Sequence, residues 1–174
     1  MRRMLLLALL SMMQLSCATK TIFQVYEGAV RSELRVAFLS GAQYFRQDLI
    51  NRYVDSVRFS RVDEVQVNKF REYDAVAVSP GFHDVTVYFS WDLGRKRELA
   101  PALVNYAASH KTFSGTLRFN ALAGKNCTID AHPVFDDNED REDITTMNHV
   151  DFWVQDEEGN QIVAREQGRY IAAQ

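Results

Sequence analysis

The stretch from Asp74 to Phe89 constrains the fold most. Asp74-Ala75-Val76-Ala77-Val78 and Val85-Thr86-Val87-Tyr88-Phe89 are apolar, β-branched and aromatic runs of strand length. Between them, Ser79-Pro80-Gly81-Phe82 forms a turn, in which Pro fixes φ and Gly supplies a positive φ at the third position. The segment predicts a β-hairpin. An isolated hairpin is marginal in water, so further strands must cover its apolar face.

Those strands are visible elsewhere. Leu34 to Leu39 is mostly apolar and ends at Ser40-Gly41. Val57-Arg58-Phe59 alternates and leads into Val62-Asp63-Glu64-Val65, which reads as strand, tight turn, strand. Thr116–Leu122 and Thr128–Phe135 flank the turn Ala123-Gly124-Lys125-Asn126. A last hairpin runs Val150–Val154, turns at Asp156–Asn160 and returns through Ile162–Ala164. Two segments have helical spacing: Phe45, Leu49, Tyr53 and Val57, and then Leu99, Leu103, Tyr106 and Ala107, with Pro101 tolerated in a first turn. Seven or more short strands with few helices predict a mainly β fold, an antiparallel sandwich with one or two short helices.

The chain opens with Arg2-Arg3, the apolar run Met4 to Leu10, and Ser16-Cys17-Ala18. A charged start, a short apolar core and a small-residue exit make a secretory signal. The core falls well short of the roughly 18 residues that span a bilayer. Gln14-Leu15-Ser16-Cys17 resembles a bacterial lipobox, which implies acylation of the Cys17 sulfur and a new N-terminus there. Ser16-Cys17-Ala18 is also an A-x-A-like site, and cleavage after Ala18 would release an unlipidated periplasmic protein. Ala18 follows the cysteine; by analogy with lipoprotein sorting, the periplasmic face of the outer membrane is expected. The organisation read from the sequence is a signal peptide at 1–16, an extended lead-in at 17–33, a sandwich domain at 34–166 and a frayed tail at 167–174.

The chain of 174 residues carries a formal charge of −3, and its leader holds two basic residues and no acids. The remainder is more acidic still, which argues against a nucleic-acid partner. Cys17 and Cys127 are the two cysteines. With Cys17 acylated, Cys127 has no partner for an intramolecular disulfide and reads as a buried small hydrophobe.

Tyr26-Glu27-Gly28, Val36-Ala37-Phe38-Leu39, Val62-Asp63, Ser79-Pro80-Gly81 with His83, Val85 and Val87, Ala123-Gly124-Lys125 and Phe152-Trp153-Val154 occur in an order that resembles a group of small bacterial envelope lipoproteins. The element around Pro80 and His83 is similar to PEGA-type and transthyretin-like sandwich modules. Glu64 departs from the pattern, where such proteins usually carry Gly. The resemblance implies an Ig-like or transthyretin-like β-sandwich on a lipid-anchored protein, places a loop rather than a helix over 42–57, and implies no activity.

Candidate chemistry is sparse. His83, just past the Pro-Gly turn, reads as a turn histidine whose ring bonds nearby backbone. His132 and His149 flank an acidic loop and could meet across it as metal ligands. Asp136-x-Asn138-x-Asp140 matches the opening of a calcium loop, but Arg141 replaces its glycine and Met147 its bidentate Glu. Asn126-Cys127-Thr128 matches a glycosylation sequon, which has no role in a bacterial source. No G-x-S-x-G, H-E-x-x-H, S-x-x-K or phosphate-loop motif occurs. Of Phe152 and Trp153, one is expected to face the core. Trp91 ends a strand just before Arg95-Lys96-Arg97, and an exposed Trp there would be the candidate partner-binding patch. The reading is a non-enzymatic binding or structural module without cofactor or metal, held to the membrane through Cys17, with an envelope protein or glycan as partner. The alternatives are a secreted or periplasmic enzyme with an unrecognised site, and a calcium-stabilised module built on 136–143.

Overall fold

The computed structural model describes residues 21–47, 49–69, 72–92, 113–135 and 146–165. The expected leader at 1–16, Cys17, the helix expected over 99–107, Arg95–Arg97, the acidic stretch at 136–143 and the expected tail at 167–174 lie outside the described residues.

Eleven strands are seen among the described residues: β1 (Ile22–Gln24), β2 (Ala37–Gly41), β3 (Gln43–Gln47), β4 (Arg52–Val62), β5 (Val65–Gln66), β6 (Ala75–Val78), β7 (Gly81–Ser90), β8 (Ser114–Ala121), β9 (Asn126–Phe135), β10 (Met147–Gln155) and β11 (Gln161–Val163). They form two sheets, ordered β1-β6-β2-β9-β10-β11 and β3-β4-β7-β8, with β5 paired to β4. The domain is mainly β, as expected. The turn at Pro80-Gly81 is present between β6 and β7, but the expected hairpin is not: β6 pairs with β1 and β2 while β7 pairs with β4 and β8, so the turn carries the chain from one sheet to the other.

Further expectations are corrected. The first sheet is mixed rather than antiparallel, because β1 runs parallel to β6 and β2 parallel to β9. The 17–33 lead-in contributes β1 to that sheet. The helix suggested by Phe45, Leu49, Tyr53 and Val57 is instead the β3–β4 hairpin, with Phe45 opposite Val54. A 3₁₀ turn occupies Glu33–Arg35, so the strand expected from Leu34 begins instead at Ala37.

Alternation sends one face of each strand inward. Leu39, Val76, Ile129, Phe152 and Val154 from the first sheet meet Phe59, Val85, Val87, Leu117 and Phe119 from the second in one core. Phe152 takes the inward position and Trp153 the outward one, as period two requires. β6 is buried along its whole length, and its continuous apolar run fits a strand between two neighbours.

The chain passes between sheets at Gly41-Ala42. Ala42 donates its N–H to the Ile129 carbonyl at 2.9 Å and accepts the Val57 N–H at 2.9 Å, so one residue joins both ladders. Gly41 permits the approach, since a Cβ there would lie 2.0 Å from the Val57 carbonyl oxygen.

Candidate functional site

β3 diverges from β9 after this crossing and leaves the Ala131 N–H without a strand partner on that side. The Tyr44 phenol fills the gap: its oxygen accepts the Ala131 N–H at 2.6 Å, and its O–H donates to Asp130 Oδ1. Burial and then the hydrogen bond to Asp130 push the Tyr44 hydroxyl well above the ordinary tyrosine range.

Two positions further along the same face of β3, Arg46 donates through Nε and Nη2 to the two carboxylate oxygens of Asp55, which is 2 % exposed. Asp55 also accepts the Asp92 N–H at 2.8 Å. Asp92 returns the contact: its carbonyl accepts from Arg46 at 3.0 Å and its carboxylate from the Val54 N–H at 3.0 Å. The Arg46 guanidinium stacks 3.9 Å from the Trp91 ring. The planar guanidinium suits both the bidentate pair and the aromatic face. Trp91 therefore does not form an exposed patch. It is 6 % exposed, packed edge-on against Phe135 and covered by Arg46.

A second polar cluster sits at the opposite end. His83 Nδ1 lies 2.7 Å from Asp63 Oδ2 and Nε2 lies 2.7 Å from the Ser79 carbonyl. The ring thus bonds backbone, as expected of a turn histidine, and also ties the β4–β5 turn to the β6–β7 turn. Asp63 holds a positive φ of 50° in that turn and accepts the Asp84 N–H at 2.9 Å. Partial burial alone would raise the Asp63 carboxyl, but the hydrogen bonds from His83 and the Asp84 amide outweigh it and hold it below the usual range.

A third cluster lies on the outer face of β10. Asp151 is buried, with His149 Nε2 at 3.5 Å and Arg165 Nε at 3.2 Å. His132 is its register partner on β9. Among the described residues no group of three or more His, Cys, Asp or Glu is placed to hold a metal ion. Met147 is buried in the core. Cys127 is a buried free thiol, pushed up to about 11 by burial and then by Asp156 and Glu157. A cavity of about 180 Å³ beside it, near Leu122, Lys125 and Ile162, ends at the β10–β11 turn. There Glu157 accepts from Asn126, and Asp156 is held low by the Asn160 side chain and turn amides.

These carboxylates accept from donors fixed by strand and turn geometry, an arrangement that braces the sheets. Sequence reading missed the Arg46–Asp55 pair and the Tyr44 plug. The signal was β3–β4 register, which the period-four reading concealed. No protein-family model, curated protein or solved structure matches this chain.

Proposed function

We infer that the protein is a lipid-anchored envelope lipoprotein whose β domain serves as a non-enzymatic binding or structural module. The observation that carries this reading is the leader, Arg2-Arg3 followed by Met4–Leu10 and ending at Ser16-Cys17. The finer architecture proposed is an Ig-like or transthyretin-like sandwich, supported by the core that the two sheets share. The bracing role of Asp55, Asp63 and Asp151 supports a scaffold more than a reaction centre. The partner class is an envelope protein or glycan, and the location is the periplasmic face of the outer membrane.

Multiple acyl chains on Cys17 would hold the protein firmly, since one chain gives only marginal binding. Metabolic labelling with radioactive palmitate tests the reading. Label is expected in the wild type and absent from Cys17→Ala. Equal labelling of both, or a mature N-terminus at Thr19, would remove the anchor and leave a periplasmic protein.

A further inference from the structure

Strand register places the chain entry and one hairpin tip at the same end of the domain. Ile22 pairs with Ala75, and Ala75 with Ser40, so β1 starts level with the end of β2. β1 runs antiparallel to β2 across β6, so the chain before Thr21 lies beyond the end of β2. β3 continues the same way: Gly41 pairs with Ile129, and Tyr44 reaches on to Asp130 and Ala131. The β3–β4 tip therefore projects from the end at which the chain enters.

That tip carries exposed apolar side chains. Leu49 is fully exposed and Ile50 is 91 % exposed. Phe45 and Val54, cross-strand partners on one face of the same hairpin, are also exposed. The Arg52 guanidinium lies 4.2 Å over the Phe45 ring. Scattered exposed apolar residues are ordinary, but four on one two-stranded projection form a patch that calls for a cover.

We propose that Leu49 and Ile50 insert into the interfacial layer of a phospholipid bilayer, as a second membrane contact beside the N-terminal anchor. This orientation rests on the lipoprotein reading above. Cys17 stands four positions before Thr21, a reach of at most about 14 Å, so an acylated Cys17 brings this end of the domain to the bilayer. Two aliphatic side chains on a narrow convex tip suit a soft apolar layer better than the flat face of a second copy. Arg52 stands where a lipid phosphate would meet an aromatic-backed guanidinium.

The test places a polarity-sensitive fluorophore at Ile50→Cys or, as a control at the other end of the domain, at Gln66→Cys. Cys127 is buried and stays unlabelled under native conditions. Each protein is measured both as the acylated chain and on the Cys17→Ala background, with phosphatidylethanolamine–phosphatidylcholine vesicles. Emission is expected to shift blue at the tip and not at Gln66→Cys, and the tip shift is expected to vanish with Leu49→Ser. An unshifted tip in both backgrounds overturns the proposal. So does a tip shift that appears without vesicles and grows with protein concentration, which would assign the patch to a second copy. The mass of the N-terminal peptide reports acylation separately, so failure of the anchor and failure of the tip are distinguishable.

Discussion

The phenol oxygen of Tyr44 accepts the backbone N–H of Ala131 at 2.6 Å, closing a gap that the sheet itself opens where the chain changes layers. The same N–H also reaches Asp130 Oδ1 at 3.0 Å, so what the hydroxyl adds is its own bond to the amide and its donation to the Asp130 carboxylate, and a hydrogen bond to a charged group contributes about 1.5–3 kcal/mol. Tyr44→Phe keeps the ring against Phe89 and removes only the hydroxyl. Urea unfolding is expected to show a loss of about 1.5–3 kcal/mol with an unchanged slope. A variant as stable as the wild type would show that the hydroxyl is dispensable there.

Asp55 is the hub of the Arg46–Asp92 network. Asp55→Ala would leave the Arg46 guanidinium and the Asp92 amide facing a buried space, and breaking such a pair from one side costs about 3–5 kcal/mol. Arg46 retains some solvent access, so the lower end is expected. The double variant Arg46→Met with Asp55→Leu is expected to recover most of the loss, because it removes both charges together. Denaturation of the full double-mutant cycle measures the coupling. Additive single losses would mean that the two residues act independently.

Gly41 cannot accept a side chain where it stands. A methyl group 2.0 Å from the Val57 carbonyl oxygen must push apart the two ladders that Ala42 joins. Gly41→Ala is expected to lose more than the usual 1–3 kcal/mol of an overpacked site, roughly, and to accumulate as insoluble protein. Its near neighbour Ser40→Ala serves as a control and should remain folded. Normal expression and melting of Gly41→Ala would contradict the packing described.

The Asp63 carboxyl, held low by His83 and the Asp84 amide, gives a pH signature. A carboxylate depressed by folding adds stability above its unfolded pKa, and that stability is lost as pH falls through the folded value. Asp63→Asn keeps a residue that tolerates the positive φ. The wild-type advantage over Asp63→Asn is expected to hold steady near neutrality. It should shrink as pH drops below about 4, the ordinary carboxylate range. Thermal melts of both proteins from pH 7 down to pH 3 measure it. A constant difference across that range would show that the carboxylate gains nothing from folding.

Two of the differences between sequence expectation and structure have distinct physical causes. Phe45, Leu49, Tyr53 and Val57 recur every four residues, a spacing that keeps one face in a helix and in a strand alike. Only pairing partners could separate the two, and these appear once Phe45 is opposite Val54. Trp91 neighbours a basic run in sequence, and its cover comes from elsewhere in the chain, from Phe135 on β9 and Arg46 on β3. By contrast, the β6–β7 turn, the Asp63-Glu64 turn and the buried Cys127 were all legible, since each follows from local backbone preference or apolar patterning.

The amino-acid order alone thus determined a β-rich chain and the positions of most of its turns. Those features depend on φ restriction at Pro and Gly, on β-branched alternation and on short-range hydrophobic patterning. Tertiary structure decided the mixed sheet, the crossing at Gly41-Ala42 and the pairing of Arg46 with Asp55. It also decided that the hairpin tip at Leu49 shares an end with the chain entry. These follow from which strands meet across long sequence separations, and period-two patterning is equally satisfied by many such pairings.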